Sequence, residues 1–190
     1  MKVICNKADS ICDKCKHSKP HEPENYYLDG FCNSWETRCP TTGEFVICEE
    51  TRMKVIFDID STLADITHLL PLWDTDREQF YSRLGEAKKI KHIVAVFQGL
   101  FEEGFEMWIY TSRPERTRTH TALWCAENGI FYDTMLMRAD NDNRHDVEVK
   151  LEMLENLKPE NIIIFEDRSC VVKALREKGY TVLQCASGEY

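Results

Sequence analysis

From Met53 onward, short apolar runs alternate with stretches whose apolar residues recur every three or four positions. Residues 53–59, MKVIFDI, are an apolar run bounded by charge, the mark of a buried strand. Across 86–104, Ile90, Ile93, Val94, Phe97 and Phe101 fall on one helical face, and Gly104 marks the end. A second strand is expected at 106–112. A helix follows over 114–129, with Pro114 in its first turn and Gly129 past its last. Residues 134–138 read as a third strand, and 145–157 as a helix that Asp146 would cap. The most apolar run, NIIIFED at 161–167, is the fourth strand, followed by a helix at 169–179 and a fifth strand at 181–186. Residues 66–86 leave room for one short helix and a loop. Unbroken apolar strands alternating with amphipathic helices predict an α/β fold: a Rossmann-like parallel sheet of about five strands, helices on both faces.

Residues 1–51 have a different texture. HSKPHEPENYYLDG and RCPTTGEF are turn material, and no stretch has a convincing helical period. Six of the nine cysteines stand here: Cys5, Cys12, Cys15, Cys32, Cys39 and Cys48. A clustered set in a chain without a secretory signal argues for metal before disulfides. Cys5, Cys12, Cys15 and His21, with His17 as an alternative, offer a Cys3His arrangement suited to tetrahedral Zn²⁺. Cys32, Cys39 and Cys48 would join that site or form a second one. The expected organisation is therefore a small zinc-binding module at 1–51 and an α/β domain at 52–190.

Composition narrows the function. A net charge of −9 excludes a generic polycation for DNA, so any nucleic-acid contact must be local. No apolar run approaches the roughly 18–20 residues of a membrane span, and the first residues lack the apolar core of a signal peptide. No membrane association is expected, and the expected location is cytoplasmic (the host cytoplasm if phage-encoded).

Ligands of parallel sheets sit at the carboxyl ends of the strands. That rule gathers Asp58 and Asp60 from the first strand, and Thr111, Ser112 and Arg113 from the second. Arg138 comes from the third, and Glu166, Asp167 and Arg168 from the fourth. Lys150 lies in the helix after the third strand. An unpaired buried carboxylate costs several kcal/mol, so these acids need a cation or a task. Acids, a hydroxyl and cations at one edge suit phosphoryl transfer from a monoester. One carboxylate attacks phosphorus, a second serves as acid and base, and Mg²⁺ with a lysine neutralises the phosphate oxygens.

FDIDSTLAD, IYTSR, a downstream lysine and IIIFEDR resemble the four motifs of the haloacid dehalogenase superfamily of phosphohydrolases. MLMRADNDNRHDVEVK, IYTSRPERT and FEDRSCVVKALREKGYTVLQCASGEY are similar, more closely, to the 3′-phosphatase domains of the phage polynucleotide kinase type. The resemblance covers residues 53–190. It implies that Asp58 is the nucleophile and Asp60 the general acid and base, with its backbone carbonyl on Mg²⁺. It implies further that Thr111 and Lys150 hold the phosphate and that Glu166 and Asp167 complete the metal site. Ser112, Arg113, Arg138 and Arg144 would contact substrate. Two positions depart from the pattern. Glu166 stands where aspartate is commoner, which would leave direct coordination to Asp167 and a water-mediated share to Glu166. Ser61 stands where glycine is frequent. No phosphate-binding loop of the kinase kind is present: Gly99 to Gly104 is followed by Phe105 and Glu106.

The expected activity is thus a Mg²⁺-dependent phosphomonoesterase removing 3′-phosphates from nucleic-acid ends through a phospho-aspartate. A 5′-(deoxy)nucleotidase or a broad acid phosphatase of the same fold is the alternative. A zinc-dependent nucleic-acid or partner-binding protein with a degenerate phosphatase domain is the third reading. Blander roles are weighed beside these: Trp73, Trp108 and Trp124 as packing, and Cys125, Cys170 and Cys185 as small buried apolar groups.

Overall fold

The computed structural model describes residues 53–188, with side chains to residue 186, and three strands that precede them. The chain divides into two compact units, Met1–Thr51 and Arg52–Tyr190. In the first unit, β1 (Val3–Ile4), β2 (Ser34–Arg38) and β3 (Phe45–Glu49) form a sheet of order β1-β3-β2. β2 and β3 are antiparallel, with Trp35 opposite Cys48. The sequence reading contained no strands here. Of the proposed zinc ligands, Cys5, Cys12, Cys15, His21, Cys32 and Cys39 lie outside the described residues, and for Cys48 only the backbone register is described.

The second unit is built on five parallel strands in the order β10-β9-β4-β7-β8: β4 (Lys54–Phe57), β7 (Glu106–Pro114), β8 (Thr134–Arg138), β9 (Ile162–Arg168) and β10 (Thr181–Gly188). Alternation along the strands divides the core in two. Val55 and Phe57 of β4, with Met107 and Ile109 of β7, join Val94 and Phe97 of α3 (Lys91–Glu102) and Trp124 of α4 (Arg118–Glu127) in one apolar cluster. Ile56, Tyr110, Ile162 and Ile164 join α6 (Ser169–Glu177) in the other, with Leu154 just past α5 (Asp146–Met153). Both faces are thus covered, which is why the strands read as unbroken apolar runs. Phe57 stacks on Phe165 of the neighbouring strand at 4.2 Å between ring centroids, packing the central pair together.

The chain leaves β4 for β7 and β8, then returns to place β9 on the other side of β4. The direction reverses beside β4, and the crevice at the carboxyl ends of β4 and β9 is where such a sheet takes ligands.

Several boundaries differ from the sequence reading, for local reasons. The helix expected over 86–104 begins at Lys91: Leu84–Glu86 is a 3-10 turn, and Lys88–Lys89 (β6) pairs with Ala64–Asp65 (β5). The second helix starts at Arg118 rather than 114, because β7 runs on through Pro114 and a 3-10 turn follows. The 66–86 connection holds two short helices, α1 (Leu70–Thr75) and α2 (Arg77–Ser82), where one was expected. Asp76 breaks between them and caps the second by accepting from the Gln79 N–H at 3.0 Å. No helix among the described residues is long and apolar enough to cross a membrane.

Candidate active site

The strand ends converge as topology requires. Just past β4, Asp58 keeps the parity of Ile56 and so faces α5. Lys150 of α5 reaches it: Nζ donates to Asp58 Oδ1 at 2.7 Å and to Glu166 Oε2 at 2.7 Å. Asp58, Glu166 and Asp167 are all buried, and one oxygen from each lies within 4.8 Å of the others. The three carboxylates and one ammonium carry a formal charge of −2. Burial, the largest cause, drives the Asp58 carboxyl well above the usual carboxylate range; Lys150 opposes this, and Glu166, Asp167 and Asp60 add to it. Burial disfavours the Lys150 ammonium, yet Asp58 and Glu166 outweigh it and hold the amine above the ordinary lysine value. Both directions describe an acid cluster short of positive charge. Its hard oxygen donors suit Mg²⁺ in type and in charge.

Asp60 is placed differently. Its carboxylate accepts from Arg113, Nε at 3.0 and 3.2 Å and Nη2 at 2.6 Å, a bidentate pair. Arg113 is 2 % exposed and also donates to Thr121 Oγ1 of α4 at 3.3 Å. Pairing between β7 and β8 shifts register between Thr111 and Pro114, and Arg113 stands in that irregularity. The guanidinium therefore holds Asp60 beside the strand end that carries Asp58. Around Asp60, from Ile59 to Ala64, the chain turns tightly. Ile59 accepts from the N–H groups of Thr62, Leu63 and Ala64, and Ser61 adopts φ +67. That left-handed backbone accounts physically for a position where glycine would be at ease. Thr62 Oγ1 donates to Asp167 Oδ1 at 3.4 Å, tying this turn to β9.

Thr111 is fully buried, and its Oγ1 accepts from the Arg113 N–H at 3.2 Å. Ser112 lines the cleft instead, and its buried Oγ has no hydrogen-bond partner among the described residues. The cleft holds about 380 Å³, with the acids and Lys150 at its base. Trp73, Phe80 and Tyr81 of the two short helices form an apolar wall. Trp73 is thus partly exposed on the cleft, whereas Trp124 is core. Cys125 is buried as expected, but Cys170 is exposed and Cys185 only half-buried.

Two of the expected substrate contacts are engaged elsewhere. Arg138 donates through Nε to the Ser112 carbonyl at 3.1 Å and through Nη1 to the carbonyls of Asp142 and Arg144 at 3.2 and 2.8 Å; Nη2 bonds Asp146. It pins the loop after β8 and does not line the cleft. Arg144 is exposed and paired with Asp142 and Glu152, also outside the cleft wall. Two residues at the site, Asp146 and Tyr110, carry no site role in the sequence reading. The capping pattern predicts Asp146 as the cap, but His145 caps α5, accepting at Nδ1 from the Val147 N–H at 3.3 Å. Asp146 instead bridges Arg138 and Arg168 and lines the cleft. Arg168 also lines the cleft. Tyr110 donates its hydroxyl to Glu166 Oε2 beneath Lys150. Arg168 closes the FEDR motif, and its place at a strand end predicts this edge. Tyr110 gives no such signal.

The family description "polynucleotide kinase PNKP phosphatase domain" matches residues 52–190. A comparison with curated proteins finds no match. Among solved structures, a chain of the Pnkp1/Rnl/Hen1 complex superposes with a TM-score of 0.63 at 23 % identity, covering 74 % of this chain and 48 % of that one. A chain of the Pnkp1/Rnl/Hen1 RNA repair complex gives 0.63 at 24 %, covering 74 % and 45 %. This chain therefore spans less than half the length of either. The putative HAD-hydrolase YfnB from Bacillus subtilis, bound to magnesium, shares the fold with a TM-score of 0.51 at 12 % identity, covering 70 % of this chain and 86 % of that one. With the family matched across its whole α/β unit, the chain belongs to the PNKP phosphatase-domain family of haloacid dehalogenase-type phosphatases and is a hydrolase of phosphoric monoesters.

Proposed function

We propose that the protein is a Mg²⁺-dependent phosphomonoesterase that removes 3′-phosphates from nucleic-acid ends. The observation that carries the chemistry is the buried cluster of three carboxylates and one lysine, short of two positive charges, beside an acid clamped by arginine. Asp58 and Asp167 would hold the cation directly, with Glu166 contributing through water and Asp60 through its backbone carbonyl. Bound there, Mg²⁺ supplies the positive charge that lets a carboxylate approach a phosphate dianion.

In this reading Asp58 attacks phosphorus and becomes phospho-aspartate, and the P–O bond to the leaving sugar oxygen breaks. Asp60 would enter the step protonated and give that proton to the leaving oxygen; as the carboxylate so formed it would take one from the water that cleaves the acyl phosphate. Arg113 holds that carboxylate in place for the second transfer. Lys150 would neutralise the non-transferred oxygens, and the Ser112 hydroxyl, without a hydrogen-bond partner among the described residues, would donate to the same group. The nucleic-acid end as substrate draws support from the family match and from relatives whose structures come from an RNA repair complex. The zinc-binding role of residues 1–51 remains part of the proposal, testable by counting zinc per chain after chelator-free purification.

The substrate is tested by comparing kcat/KM, with Mg²⁺, for a short 3′-phosphorylated oligonucleotide, the same oligonucleotide phosphorylated at its 5′ end, and 3′- and 5′-mononucleotides. Preference for the 3′-phosphorylated polymer is expected. Preference for mononucleotides would make the enzyme a nucleotidase with the same acids in the same roles. Retained turnover in Asp58→Asn would overturn the phospho-aspartate mechanism itself.

A further inference from the structure

Tyr110 stands on β7 one residue before Thr111, where the sequence shows only another apolar strand position. It is fully buried on the face toward α5 and α6. Its hydroxyl donates to Glu166 Oε2. Lys150 Nζ donates to that same oxygen at 2.7 Å and lies 4.6 Å from the centre of the Tyr110 ring. The Arg168 backbone N–H takes the other oxygen, Oε1, at 3.2 Å. The ring is thus a floor under the ammonium, and the hydroxyl is an anchor for the carboxylate. A phenylalanine would satisfy the surrounding packing equally, so packing alone gives no reason for the hydroxyl. A glutamate supplies one methylene more reach than an aspartate, and that reach carries Oε2 to the tyrosine.

We infer that Tyr110 is a positioning residue of this site: it fixes Glu166 and, through the shared oxygen and its ring, aims Lys150 at Asp58. The inference rests on the phosphomonoesterase reading above. Tyr110 touches none of the reacting atoms. Glu166 Oε2 accepts two protein donors and Oε1 one, so Oε1 is the oxygen that keeps a lone pair to share. The tyrosine and the glutamate act as one unit that compensates for the departure from the commoner Asp-Asp pair.

The test uses the full chain carrying Tyr110→Phe, Glu166→Asp, or both, with a small aryl phosphomonoester and Mg²⁺. Tyr110→Phe should lower kcat about tenfold, the loss of one hydrogen bond to a charged group, with KM within about twofold. It should also raise the Mg²⁺ concentration at the midpoint of the thermal-unfolding shift, a readout independent of turnover. Glu166→Asp should do the same, and adding Tyr110→Phe to it should cost less than about twofold more, because the shorter acid no longer reaches the hydroxyl. Wild-type kcat and midpoint in Tyr110→Phe, or two losses that simply multiply, would overturn the inference. Should Tyr110→Phe not fold, Glu166→Asp decides alone, and an unchanged kcat and midpoint there overturns it. An inactive Asp58→Asn beside an unaffected Tyr110→Phe sinks only this inference, whereas an active Asp58→Asn sinks the reading beneath it.

Discussion

Replacing Lys150 by methionine keeps the volume and removes the ammonium. In the native protein Lys150 is 4 % exposed, and its ammonium donates to two carboxylates at 2.7 Å each. Without it, Asp58, Glu166 and Asp167 face one another with a formal charge of −3. Removing one partner of a buried ion pair costs roughly 3–5 kcal/mol, because the remaining charge stays desolvated. A domain of ordinary stability has about 5–15 kcal/mol in hand, so Lys150→Met sits near the edge of folding. With a urea dependence of about 2 kcal/mol per M, its midpoint in chelator should fall by about 2 M. Mg²⁺ restores charge to the same cluster, and at ten times its Kd it returns about 1.4 kcal/mol. The variant should therefore be rescued by Mg²⁺ more than the wild type is, yet remain at least a hundredfold slower in kcat. Urea unfolding with and without Mg²⁺ measures the first effect, and single-substrate kinetics the second. A variant within about 1 kcal/mol of wild type in chelator would refute the reasoning, since the ammonium would then not be the main compensating charge.

Ser61→Gly should stabilise the fold: the left-handed backbone at φ +67 costs an L-residue roughly 1–2 kcal/mol, and glycine's extra freedom when unfolded offsets roughly 0.5–1 of that. Thermal unfolding should show a rise of about 1–4 °C, and a fall would contradict the strain argument. Stability in chelator should also decline as pH rises through the elevated Asp58 pKa. A carboxyl whose folded pKa is raised contributes stability below its unfolded value, near 4, and loses that contribution as pH climbs through the folded one. Mg²⁺ should flatten that decline, and parallel urea-midpoint curves with and without Mg²⁺ would count against the cluster being the cause.

The strands that build the sheet were readable because burial on both faces removes polar residues from them, as at 161–167. Topology then carried Asp58, Lys150, Glu166 and Asp167 to one edge, which their spacing in the chain suggested. Other features left no pattern. Lys88 and Lys89 have good helical propensity, and only pairing with Ala64 and Asp65 makes them strand. The family resemblance implied a substrate contact for Arg138, but the carbonyls of the following loop engage it, and loop conformation is not written in periodicity. Asp146 satisfied the rule for a cap, yet the histidine before it took that place. Tyr110 was hidden by its apolar ring among apolar neighbours.

The order of the strands bears on how the enzyme comes into being. β9 is synthesised after β7 and β8, yet it inserts beside β4, against the first strand of the sheet. Lys150 meets Asp58 across 92 residues, and Thr62 meets Asp167 across 105. Closing such loops has to precede the contacts that reward it, which slows folding. During translation β4 therefore waits with one edge unpaired until the ribosome has passed residue 168. Such an edge invites association with other chains, so a holding chaperone would have most to do in that interval. Appearance of phosphatase activity is then a late folding event, and its lag behind sheet formation reports when the last long loop shuts.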